Sequence, residues 1–82
     1  MNNQVNTPTT QEKYLALLNY GINPKFIANT LNDRQLVRKT NSPYVAQTVV
    51  YTANGYQRDE NIERLIDELF FQYCSKNTLQ TA

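Results

Sequence analysis

Ser42-Pro43-Tyr44-Val45-Ala46-Gln47-Thr48-Val49-Val50-Tyr51-Thr52-Ala53-Asn54-Gly55 is the stretch whose reading decides the fold. Val45, Thr48, Val49, Val50, Tyr51 and Thr52 favour extended chain, and Asn-Gly is the strongest two-residue hairpin signal, so a strand is one reading. A helix is the other. Ser42 followed by Pro43 reads as a cap and then a proline at the first helical position, where the missing N–H costs nothing. Val45, Val49 and Thr52 then share a face, and Asn54-Gly55 becomes a C-terminal stop. The helix is preferred because the cap and both flanking segments agree with it.

Those flanking segments carry plainer signals. Downstream, Asp59 caps a helix, Glu60 and Glu63 suit its positive end, and Ile62, Leu65, Ile66, Leu69, Phe70 and Tyr73 recur at helical spacing. This predicts a helix from about Asp59 to Tyr73, with Phe71 outside its stripe and in need of a partner. Upstream, Asn23 caps and Pro24 opens a helix bearing Phe26, Ile27, Ala28 and Leu31, which ends near Asn32-Asp33. Before it, Thr9 stands three residues ahead of Glu12, the capping-box spacing; Tyr14, Leu15, Leu17 and Leu18 supply an apolar face, and Gly21 a stop. Asp33 to Asn41 stays open between an extension of the second helix, a turn and a strand.

The expected fold is therefore all-α, a small helix-turn-helix bundle of four to five helices. The alternative is α+β with a short hairpin around residues 36–52. Residues 1–9 are expected to be a disordered lead, 10–75 one DNA-binding domain, and 76–82 a frayed tail.

With 82 residues, only one modest core can form. Cys74 is the single cysteine and there is no histidine, so an internal disulfide is impossible and a zinc site is not expected. Self-association is the natural way to add buried area. No apolar run approaches the roughly 20 residues of a membrane span, and the polar, uncharged start lacks the regions of a signal peptide. A cytoplasmic protein is expected.

Chemistry is poorly provided for. Without histidine the commonest general base is missing, and Cys74 has no such residue to activate it. Glu60, Glu63, Asp67 and Glu68 read as a solvated helix surface, and Gly21 and Gly55 lie too far apart for a phosphate loop. No enzyme activity, metal, cofactor or small-molecule substrate is expected.

Net charge is only +1, but its distribution is uneven. No Asp or Glu occurs between Arg34 and Arg58, whereas Asp59 to Glu68 holds five carboxylates against Arg64. A near-neutral domain with one basic segment can still bind phosphates. Lys25, Arg34, Arg38, Lys39 and Arg58 are the candidate phosphate contacts. Ser42, Tyr44, Gln47, Thr48 and Tyr51, on the third helix of the preferred reading, are the candidate base contacts, because Gln can bind adenine through two bonds and Thr can meet a thymine methyl. The plainer reading of each is an exposed residue on a helix.

Ile27-Ala28, then Ser42-Pro43-Tyr44-Val45, then Asn54-Gly55 and Ile62-Glu63-Arg64-Leu65-Ile66 together resemble the lambda-repressor-like helix-turn-helix regulators of phages and prophages, in particular the short Ner/Nlp-like proteins. The resemblance spans about Tyr14 to Leu69. It implies a repressor that binds operator DNA as a dimer, with the helix after Ser42 in the major groove. Two departures stand out: Asn32 where the family usually has glycine, and a connector from Asp33 to Asn41 where a turn of about three residues is usual. Phe70, Phe71 and Tyr73 are the candidate dimer interface. The competing expectation is a small protein-interaction module, such as a phage-encoded inhibitor or an antitoxin-like protein, since the six tyrosines suit protein interfaces as well as phosphates.

Overall fold

Local capping sets most of the helix ends. A computed structural model describes residues 8–75 and gives four α-helices and no strand among them: α1 (Thr10–Tyr20), α2 (Pro24–Asp33), α3 (Ala46–Ala53) and α4 (Glu60–Leu69), the last running on into a π-helical turn over Phe70–Ser75. The fold is all-α, as expected. The expected tail, and the expected lead save for Pro8 and Thr9, lie outside the described residues.

The capping box at α1 is complete: Glu12 N–H donates to Thr9 Oγ1 (3.1 Å) and Thr9 N–H to Glu12 Oε1 (2.8 Å). Phe26 N–H donates to Asn23 Oδ1 (2.8 Å) ahead of Pro24, and Ile62 N–H to Asp59 Oδ1 (3.1 Å). Three helices end in the paired bonds of a Schellman turn, at Gly21, Gln35 and Gly55. Each of these residues has positive φ, including the non-glycine Gln35 at 62°.

Helix α3 departs from the sequence reading. It begins at Ala46, with Val45 as an N-cap that makes no side-chain bond, rather than at Ser42-Pro43. The reason is tertiary. The Asn32 side chain, from the end of α2, grips the Tyr44 backbone at both groups: Nδ2 donates to Tyr44 O and Tyr44 N–H donates to Oδ1, each at 2.9 Å. Thr48 N–H turns to Val45 O (3.1 Å), three residues back, rather than to Tyr44 O. The Ser42 hydroxyl meets Thr40 Oγ1 at 2.6 Å instead of capping anything. Asp33 to Asn41 resolves into the α2 exit and a tight turn: Asn41 N–H donates to Arg38 O (2.8 Å), Arg38 N–H to Ser42 O (3.1 Å), and Asn41 takes φ 64°.

The core sits where the four helices meet. Tyr14 and Leu17 of α1, Ile27, Ala28 and Leu31 of α2, Val49 and Ala53 of α3, and Ile62, Leu65, Ile66 and Leu69 of α4 are buried around Tyr44. Phe26, Leu15 and Leu18, read from sequence as packing residues, are exposed instead. An ion pair between Lys13 and Asp67 ties α1 to α4, and the Tyr20 and Tyr73 rings stack at 5.3 Å between centroids.

Candidate nucleic-acid interface

Helix α3 is built to be held on one side. Thr48, Val49, Thr52 and Ala53 turn inward against α2 and α4, leaving Gln47, Tyr51 and Asn54 outside. The five expected base contacts therefore separate. Gln47 and Tyr51 are exposed and adjacent, with Gln47 Nε2 donating to Tyr51 Oη at 2.8 Å. Thr48 is 5% exposed and Tyr44 3%, so both are buried and are corrected as base contacts. Residues four apart share a helical face, and here Thr48 shares its face with Thr52 rather than with Gln47. Ser42 is half-buried in the connector turn, ahead of α3 rather than on it.

Tyr44 forms a joint between α3 and α4. Its hydroxyl lies 2.9 and 3.0 Å from the two carboxylate oxygens of Asp59, and Asn61 Nδ2 donates to the hydroxyl at 3.0 Å. Burial pushes the Tyr44 phenol above its ordinary range, the Asn61 bond works against that, and the Asp59 carboxylate adds to it. Asp59 thus caps α4 and anchors the segment entering α3, with Oδ1 shared between the two.

The five expected phosphate contacts separate as well. Arg34 forms a two-pronged pair with Glu68 (3.1 and 2.7 Å), which holds the Glu68 carboxyl below its usual range. Arg58 pairs likewise with Glu63 (2.8 and 3.1 Å), holding that carboxyl low. Lys25, at the first turn of α2, and Arg38 and Lys39, on the connector turn, make no ion pair among the described residues. Arg38, Lys39 and Arg58 converge with Thr40, Gln57 and Asp59 on one surface notch of about 160 Å³. A larger cleft of about 310 Å³ lies elsewhere, between the start of α1 and the end of α3, lined by Thr9, Gln11, Asn54, Arg58 and Glu63 among others.

Of the expected dimer residues, Phe71 is 62% exposed, while Phe70 lies half-buried beneath the Lys13 ammonium and Tyr73 is half-buried against Tyr20.

Two residues were passed over by the sequence reading. Tyr56, 80% exposed, sets its ring edge-on to Tyr51 at 6.2 Å beside the outer face of α3. A signal for it existed: a Schellman turn at Gly55 brings the following residue against the third-from-last helical one, here Tyr56 against Tyr51. The other is Asn32, whose bonds to Tyr44 no local pattern announces.

No protein-family model matches the chain, and no curated protein or solved structure matches it.

Proposed function

We propose that the chain is a small cytoplasmic DNA-binding regulator of the helix-turn-helix kind, a repressor of phage or mobile-element type that acts as a homodimer without a cofactor. One observation carries this reading. Helix α3 is gripped from one side and turns a carboxylate-free face with Gln47 and Tyr51 to solvent, while the loops on either side of it bring Arg38, Lys39 and Arg58 to one notch. A helix presented in this way fits the major groove, and cations beside it fit the flanking phosphates.

In this reading Gln47 and Tyr51 face base edges and Lys25, Arg38 and Lys39 contact phosphates. Arg34 and Arg58 would have to exchange a carboxylate for a phosphate to join them. Phe71, with Phe70 and Tyr73 behind it, is the surface offered to the second subunit.

A gel shift against DNA upstream of the chain's own gene and against random duplex, at two salt concentrations, tests the proposal. The expected result is binding that falls steeply with salt, with the Arg38→Ala, Lys39→Ala double variant weaker on all duplexes and flatter in its salt slope. No shift of any duplex at low salt would refute it. The exposed Tyr51–Tyr56 pair favours the second reading, a protein-interaction module, because tyrosine is enriched in interfaces.

A further inference from the structure

The bond between Gln47 and Tyr51 limits what the glutamine can recognise. A glutamine amide offers two N–H donors and one carbonyl acceptor. On a free side chain the group rotates, and it can present a donor with an acceptor, or two donors. On α3 the Tyr51 hydroxyl, one turn further along the helix, takes one Nε2 proton at 2.8 Å. Tyr51 is itself steadied by the edge-on ring of Tyr56. The exposed amide then has one N–H and Oε1 left for a ligand.

We propose that Tyr51 is a positioning residue that makes Gln47 an adenine reader; this rests on the DNA-binding function proposed above. The remaining edge pairs one acceptor with one donor. Adenine presents the complement in the major groove, an N6 amino donor beside the N7 acceptor. Guanine presents two acceptors, N7 and O6, and Oε1 would face one of them without a proton between. Were the Tyr51 hydroxyl to donate to Oε1 instead, the outward edge would hold two donors and suit guanine. The direction of one side-chain bond thus selects between the two purines.

The test is binding-site selection from a random duplex library with the full chain as wild type, Gln47→Ala and Tyr51→Phe. Affinity for a non-specific duplex is measured alongside. Tyr51→Phe keeps the ring and its contact with Tyr56 and removes only the hydroxyl. The expected wild-type site contains an adenine whose replacement by guanine weakens binding about tenfold. Gln47→Ala abolishes that preference. Tyr51→Phe reduces it several-fold at that position, more than at any other position and more than it changes non-specific affinity, a split that a general loss of folding would not give.

If Gln47→Ala relaxes the position while Tyr51→Phe keeps the wild-type preference, Gln47 reads the base unaided and the inference is wrong, though the DNA-binding reading survives. A guanine preference at the Gln47-dependent position would overturn the amide orientation. Failure of the wild type to bind any duplex would remove the DNA-binding reading and this inference together.

Discussion

Helix α4 and the segment that leads through the connector into α3 are joined through Tyr44 and Asp59, yet they are specified in different ways. In α4 every local signal agrees with the final structure. Asp59 caps, Glu60 and Glu63 occupy the positive end, and Ile62, Leu65, Ile66 and Leu69 are all buried. In the connector and α3 the local signals conflict, and contacts from distant residues decide between them. Ser42-Pro43 reads as a helix start, but Asn32 holds the Tyr44 backbone and the helix begins only at Ala46, after an extended Val45. A region with redundant local information tolerates loss of a single cue. A region decided by two or three long-range bonds depends on each of them.

The largest effect belongs to the packed side of this comparison. Ile66 is fully buried, so Ile66→Ala should lower unfolding free energy by about 3 kcal/mol, read as a shift in urea midpoint. Next comes the connector. Asn32→Ala removes both bonds to Tyr44 and leaves its part-buried N–H and carbonyl unpaired, for a loss of about 2 kcal/mol. Asn32→Gly should be no better. A loss below about 0.5 kcal/mol would mean that the turn, and not Asn32, sets the start of α3.

Tyr44→Phe keeps the ring and removes the hydroxyl from Asp59, with an expected loss of about 1 kcal/mol at neutral pH. The same variant sharpens the pH response. Burial raises the phenols of Tyr14 and Tyr44, so their contribution to stability is fully present below the unfolded value of 10.0 and is lost as pH rises through the folded one. Alkaline destabilisation should set in above pH 10.0, and Tyr44→Phe should weaken it. Titration followed by circular dichroism measures both.

Two smaller effects complete the contrast. Gln35 holds φ 62° at the end of α2, so Gln35→Gly should raise stability by up to about 1 kcal/mol in thermal unfolding, net of the freedom glycine adds to the unfolded chain. Ser42→Ala should change stability by less than about 0.5 kcal/mol, because its hydroxyl caps no helix, whereas loss of a true cap costs about 1 kcal/mol. A value near 1 kcal/mol for Ser42→Ala would reopen the longer α3.

The candidate site was legible only where exposure follows helical periodicity. Gln47 and Tyr51 lie four apart and emerge together, as the spacing allows. Tyr44 and Thr48 are also four apart and both are buried, but Tyr44 lies ahead of α3, held by Asn32 and Asp59. Hydropathy could not separate the two pairs, since Tyr and Thr are at home in either place. The basic segment shows the same limit. Composition identified its four cations, while the pairing of Arg34 with Glu68 is made with a residue of another element.

What the sequence by itself determined is the set of helix boundaries whose signals act over three or four residues: Thr9 with Glu12, Asn23 with Phe26, Asp59 with Ile62, and the glycines at 21 and 55. These bonds form within one turn of chain, so neighbouring residues are enough to specify them. Only the tertiary structure decided where α3 begins, that Tyr44 and Thr48 are buried, and which of the described cations pair with carboxylates. Each of these follows from contact between separate elements, as Asn32 meets Tyr44 and Tyr44 meets Asp59 across 12 and 15 residues. Such partners are chosen by how helices pack, and packing depends on the whole core at once.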